Sequence, residues 1–263
     1  MKSLLIALST YSALPTPGGE WREGDMGLAL CWLPLVGLLI GGAQLLWLLL
    51  AQALAWGGLL TAIGTVLLPL LVSGGIHMDG FCDAVDALSS HQPPAKKREI
   101  LHDPRAGAFA IMGCCGYLLL HLGLMGELLR RAEGLFGQTW QLALALTACC
   151  LLSRAGCCLQ VADLPRYSDR GMLAAFALPM RRRAVRVAAW LWLGLGLGLL
   201  LWLSPWYAGA AALLLSLFTP VFRFTVKVRF QGMSGDLAGF YVQTAELLGL
   251  LALLLGAAAG GML

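Results

Sequence analysis

Three aspartates in helical phase are the densest piece of chemistry in this sequence. They lie in Gly74-Gly75-Ile76-His77-Met78-Asp79-Gly80-Phe81-Cys82-Asp83-Ala84-Val85-Asp86, directly after a long run without a charged residue. At 3.6 residues per turn, positions i, i+4 and i+7 stack on one side, so Asp79, Asp83 and Asp86 share a helix face. Like charges so placed repel one another, and a cation between them removes the repulsion. Carboxylate oxygens suit a hard ion such as Mg2+, which takes one or two carboxylates and adds substrate phosphates. The spacing points to a metal-dependent site with Asp79, Asp83 and Asp86 as ligands. The plainer alternative is a solvated helix end behind a hydrophobic span. His77 and the Gly-Gly break weigh against it.

Further groups gather around this segment. His77 is open between three roles: a general base for an attacking hydroxyl, an outer partner of the metal, and a packing imidazole. Arg105 suits a phosphate clamp, because a guanidinium binds phosphate in a fork. Asp103, two residues earlier, either adds a ligand or pairs with Arg105. Arg154 stands inside an apolar run, where a charge costs about 3 kcal/mol on insertion scales, which favours a functional or paired role. Asp236 follows a glycine-rich turn and suits the metal or a sugar hydroxyl, while Glu246 reads as a polar helix contact. Pre-placed cations of this kind stabilise a transition state that gathers negative charge.

The elements that must position these groups are membrane helices. Of 263 residues, 59% are hydrophobic and 12% charged, about half the charged share of a soluble domain. Apolar runs exceed the ~20 residues that cross a ~30 Å hydrocarbon core. The fold class is therefore all-α, a polytopic helix bundle formed by residues 1–263 as a single integral-membrane domain. Leu4 to Leu14 is too short to span and reads as an interfacial or re-entrant helix ended by prolines. Helices are expected at about 28–50 and 59–76, joined by a Trp56-Gly57-Gly58 hairpin, with Gly74-Gly75 bending the second just before the aspartates. A polar loop over 87–105 follows, with Pro93-Pro94 stopping any helix. Helices at 106–126 and 137–160, a basic loop over 161–186, and two short helices broken at Ser204-Pro205 come next. A polar loop over 223–244 and a last helix from about 245 close the chain, giving seven spans.

Charge placement tests that count. Seven spans put 15 of the 18 basic residues on one side, including Lys96, Lys97, Arg98, Arg181, Arg182 and Arg183. The positive-inside rule assigns that side to the cytoplasm, and every candidate chemical group falls there. The formal charge of +4 thus reports membrane orientation and no nucleic-acid partner. Eight cysteines, six of them in adjacent pairs, lack metal spacing and read as small packing residues.

The acidic segment resembles the G-G-x-H-x-D-G-x-x-D-x-x-D signature of the cobalamin synthase, or adenosylcobinamide-GDP ribazoletransferase, family. His102-Asp103-Pro104-Arg105-Ala106-Gly107, Ser153-Arg154 and Gly232-Met233-Ser234-Gly235-Asp236 are similar to that family's later blocks, in order, and Leu14-Pro15-Thr16-Pro17 to its opening. Departures are Gln231 for a Gly, Ser234 for a Thr, Pro104 for a Ser and Ala87 for a Gly; none removes a charged group. The resemblance implies a multi-pass transferase of the bacterial inner membrane with its active site toward the cytoplasm. It implies adenosylcobinamide-GDP and α-ribazole or its 5′-phosphate as substrates, GMP as leaving group and Mg2+ as cofactor, late in cobalamin biosynthesis. His77, Asp79, Asp83, Asp86 and Arg105 would be catalytic, and Asp103, Arg154 and Asp236 substrate-binding. A homo-oligomer, or contact with pathway enzymes, is compatible with it. A CDP-alcohol phosphatidyltransferase also uses membrane aspartates and metal, but its D-x-x-D-G-x-x-A-R pattern is missing here. A cation transporter would place its carboxylates near the bilayer middle, often within repeated halves, which this chain lacks.

Overall fold

The computed structural model describes residues 2–17, 23–168 and 172–261; Arg22 and Arg170, two of the basic residues in the charge asymmetry, lie outside them. Among the described residues the architecture is helical, with one isolated bridge between Arg166 and Met233. The chain opens with α1 (Lys2–Tyr11), α2 (Glu23–Met26), a 3-10 turn at Ala29–Trp32, and α3 (Leu33–Ala53). Next come α4 (Gly58–Ser73), α5 (Ile76–Ser89), α6 (Pro94–Ile100), α7 (Ala108–Arg130) and α8 (Ala132–Phe136). The second half holds α9 (Thr139–Asp163), α10 (Met172–Ala177), α11 (Arg182–Leu203), α12 (Pro205–Thr225) with a π-helical turn at Val226–Phe230, and α13 (Gly235–Ala259).

Helix α9 is the centre of the bundle, buried almost throughout, with α3, α11 and α13 packed around it. Apolar packing in lipid relies on close backbone approach through small residues, and α9 supplies them. A Cβ on Gly37 of α3 would sit 2.9 Å from the Cys150 carbonyl, and one on Gly249 of α13 would sit 2.8 Å from Cys149 Cβ. Cys149, Cys150, Cys157 and Cys158 are buried there as free thiols, as small packing residues should be. The outer faces of α7, α11 and α12 are instead apolar and exposed, with Leu119, Trp190, Leu191, Trp202 and Phe224 pointing outward. Among the described residues six segments are long and apolar enough to span a membrane, and α4 with α5, bent by 95°, brings the number to seven if the pair is one span.

The boundaries depart from the sequence reading where polar residues are involved. The loop expected over 87–105 contains the last turn of α5 and all of α6. Pro94 starts α6 instead of preventing it, because a first-turn proline lacks an N–H that would have had no partner anyway. Lys97 of α6 is buried, and its Nζ donates to the Ala87 and Leu88 carbonyls. Those are end carbonyls of α5, where a cation is favoured. Arg182, Arg183 and Arg186 form the first turns of α11 and not a loop. The last helix begins at Gly235, ten residues earlier than expected, with Ser234 Oγ accepting the Leu237 N–H at 3.2 Å as its N-cap. The break at Ser204-Pro205 and the interhelical turn after Trp56 are as expected. Helix α1 ends at Tyr11, ahead of the prolines, and Ala13 N–H donates to Val72 O at 2.8 Å, holding it against the end of α4.

Candidate active site

Gly74 and Gly75 adopt φ of 65° and 75°, a left-handed pair that only glycine takes without strain. They turn the chain by 95° into α5. Helix α5 then lies against the start of α13 with almost no space between the backbones. A Cβ on Gly80 would sit 2.6 Å from Asp236 Cα, and one on Gly239 would sit 2.6 Å from the His77 carbonyl. These two glycines bring the first turn of α5 beside the first turn of α13. Asp79 and Asp236 consequently line the same cavity, of about 230 Å³, together with His77, His102, Tyr167 and Ser234. Its deeper wall is apolar and aromatic. Tyr11 stacks near the His77 ring (6.5 Å between centroids, 9° between planes) and meets Phe176 at 5.7 Å.

The three in-phase aspartates part company here. Asp79 is exposed at the cavity. Asp83, half-buried, stands within electrostatic reach of Asp79, Asp236 and Asp86. Asp86 points to the start of α7, where the Ala110 N–H donates to its Oδ1 at 3.4 Å and the bare Gly107 Cα leaves room for the carboxylate. A carboxylate is favoured at that positive helix end. None of the four aspartates is engaged in an ion pair among the described residues. Among the described residues no group of three His, Cys, Asp or Glu side chains is already drawn together tightly enough to hold a metal ion. Hard oxygen donors with unbalanced charge nevertheless fit a divalent cation by type.

Three other expected site residues turn elsewhere. Arg154 is 1% exposed, and its Nη1 pairs with Glu246 Oε1 of α13 and donates to the Cys150 carbonyl at 3.1 Å. A guanidinium in a bundle core needs a counter-charge; Arg154 has found one, and it does not line the cavity. Arg105 is exposed, and its fork is taken by Asp103, with Nε to Oδ1 and Nη2 to Oδ2 both at 2.9 Å. These bonds hold the Asp103 carboxyl down at about 2. The pair sits in the turn before α7, off the cavity wall.

Residues that spacing did not single out take up the basic and polar roles at the opening. His102 Nε2 lies 3.2 Å from the Tyr167 hydroxyl, and Arg98 sits 5.7 Å over the Tyr167 ring. Burial pushes the Tyr167 phenol above its usual range. Arg98 also donates to the Phe230 carbonyl at 3.0 Å and to Gln231 Oε1 at 2.8 Å. Gln231 is a non-glycine residue at φ 60°, and the Arg98 bond helps hold that costly conformation. Gly232 next to it packs on the Arg166–Tyr167 backbone, and Met233 N–H donates to Pro165 O at 2.7 Å. The loop before α13 is thus fastened to the loop after α9, which carries Tyr167. The one available signal was the proximity of Arg98 and His102 to Arg105 in the same basic stretch.

Known proteins with the same pattern complete the comparison. A family model described as cobalamin-5-phosphate synthase matches residues 3–254. An adenosylcobinamide-GDP ribazoletransferase of Lachnoclostridium phytofermentans is 33% identical over 97% of this chain and 94% of its own length. One of Desulfitobacterium hafniense is 34% identical over 95% and 96%, and one of Azorhizobium caulinodans 31% over 95% and 94%. No solved structure matches. With the family model matched over residues 3–254 and relatives of 31–34% identity covering nearly the whole length, the chain belongs to the cobalamin-5-phosphate synthase family.

Proposed function

We propose that the chain joins adenosylcobinamide-GDP to α-ribazole or its 5′-phosphate, forming adenosylcobalamin or its 5′-phosphate and releasing GMP. A ribose hydroxyl oxygen forms a bond to the phosphorus next to the cobinamide arm. The anhydride P–O bond breaks, GMP leaves with that electron pair, and the hydroxyl proton passes to a carboxylate. The observation that carries this reading is the pairing of Asp79 with Asp236 at a cavity whose depth is aromatic. One carboxylate of that pair takes the hydroxyl proton. His77, 5% exposed at the cavity wall, holds substrate there and is poorly placed to exchange a proton with water. Arg98 adds positive charge beside Tyr167 at the opening, His102 offers a hydrogen-bonding ring there, and the first-turn amides of α13 add their dipole toward the entering diphosphate. A Mg2+ ion held by Asp79, Asp83 and Asp236 would neutralise the diphosphate and align the displacement.

The membrane setting follows from the charge bias. On the seven-span reading 15 of 18 basic residues fall on one side, which supports a bacterial inner membrane with this cavity at the cytoplasmic leaflet. A phosphatidyltransferase is not favoured, since its motif is absent.

The test supplies purified full-length chain in lipid nanodiscs with Mg2+, adenosylcobinamide-GDP and α-ribazole, and measures GMP and corrinoid product. Stoichiometric release is expected, and it should stop in excess EDTA and resume on adding Mg2+. Folded chain that releases no GMP overturns the transferase reading. Turnover that is indifferent to EDTA overturns the metal assignment alone.

A further inference from the structure

We infer that the apolar half of the cavity is the seat of the dimethylbenzimidazole base of α-ribazole, with the Tyr11 and His77 rings bordering it. The inference rests on the transferase reading and adds to it which substrate lies there and which way round.

Size comes first. The cavity measures about 230 Å³. That admits a base and its ribose and excludes a corrin ring. Adenosylcobinamide-GDP can therefore reach only the opening with its diphosphate.

Polarity gives the direction. Asp79 is exposed and Asp236 half-buried, whereas Tyr11, Leu33, Phe176 and His77 are buried. The cavity runs from an acidic opening to an aromatic and aliphatic floor. A nucleoside entering base first leaves its ribose hydroxyls at Asp79 and Asp236, where the nucleophile is needed.

The identity of the base follows from counting polar atoms. Two rings with polar atoms border the floor, Tyr11 with its hydroxyl and His77, whose Nδ1 is buried with no hydrogen-bond partner. A buried polar atom left so is costly unless something completes it. Dimethylbenzimidazole in its riboside carries one ring nitrogen with a free lone pair, two methyl groups and no N–H. A single donor at the floor answers that nitrogen, and Leu33, Phe176 and the ring faces of Tyr11 and His77 answer the rest. Guanine, the other base in the reaction, would bring a carbonyl, a ring N–H and an amino group into the same wall. Most of these would stay unpaired, at a cost for each.

The experiment uses full-length chain in nanodiscs with EDTA, so that binding is read without turnover. α-Ribazole is titrated by its own benzimidazole fluorescence, with GMP as competitor. Saturable binding that GMP does not displace is expected. The variant His77→Phe keeps a flat ring and loses the N–H. Phe176→Leu keeps bulk and loses the flat ring. Each should weaken α-ribazole roughly tenfold and raise its KM while leaving the KM for adenosylcobinamide-GDP in place. A purine riboside should bind at least tenfold more weakly than α-ribazole. Unchanged α-ribazole affinity in both variants, with melting like the parent chain, overturns the seat; so does displacement by GMP. If turnover persists while these variants leave the ribazole KM unmoved, the seat is wrong and the transferase reading stands. If the parent chain neither binds α-ribazole nor releases GMP, it is the transferase reading that fails.

Discussion

Replacing Gly80 by Ala tests whether the close approach of α5 and α13 sets the chemistry. The added methyl carbon would lie 2.6 Å from Asp236 Cα, 2.9 Å from its carbonyl oxygen and 3.2 Å from its carbonyl carbon. All three are backbone atoms, so no side chain can swing away. Ordinary contact begins at 3.4 Å, and 3.4 minus 2.6 leaves 0.8 Å by which the helices must separate. The opposing aspartates are on these two helices, so Asp79 and Asp236 separate with them. Forced overpacking of this size costs about 1–3 kcal/mol. A misplacement near 1 Å can cost on the order of 100-fold in rate. Gly80→Ala should therefore fold, melt earlier, and release GMP about 100-fold more slowly. Gly123→Ala on α7 is the control, because nothing lies within 4 Å of its added carbon; it should keep full activity. Initial rates of GMP release in nanodiscs, with thermal unfolding of the same samples, decide the matter. A Gly80→Ala rate within threefold of the parent chain refutes the idea that backbone contact positions the carboxylates.

Other outcomes follow from single contacts. Asp83→Asn should remove turnover while melting near the parent chain, and near-normal GMP release would remove Asp83 from the ion's donors. Arg154→Met should destabilise by about 3–5 kcal/mol, because Glu246 is then buried without its counter-charge. The double change Arg154→Met with Glu246→Met should recover most of that loss in a thermal melt and retain turnover; an inactive but stable double variant would return Arg154 to the substrate. The Asp103 carboxyl is depressed from 3.8 to about 2 by Arg105. Its contribution is therefore complete above pH 4 and lost as pH falls through 2, so a carboxyl carbon titration should show a midpoint near 2; a midpoint near 4 would mean the pair does not form.

How far the sequence carried this can be argued residue by residue. The acidic face was legible because Asp79, Asp83 and Asp86 interrupt a charge-free run, and the break before it because two glycines stand together. Which aspartate serves which neighbour was not legible. Asp86 faces Gly107 and Ala110, and Asp79 faces Asp236, through packing between distant segments that helical phase does not encode. Helix α13 was placed too late for a related reason. Asp236 and Gln243 look like loop residues in a linear reading, yet Gln243 accepts from the Tyr117 hydroxyl inside the bundle, one turn before Glu246 accepts from Arg154. Arg154 was read as functional or paired, and only the fold supplies the partner. The cavity floor, made by Tyr11 and Phe176 from opposite parts of the chain, left no local pattern at all.

The ion pair between α9 and α13 also bears on how the chain is made. Arg154 precedes Glu246 by 92 residues. At about 5–20 residues per second of synthesis, the arginine waits roughly 5–18 s for its partner to emerge. During that interval α9 carries a lone guanidinium into the translocon's lateral gate, where its own length of apolar residues must outweigh the penalty. Arrival of α13 ends the wait, so the final helix works as a latch on biogenesis. Ribosomes that stall before Glu246 would leave behind a product with an unneutralised charge in lipid, marked for membrane quality-control proteases.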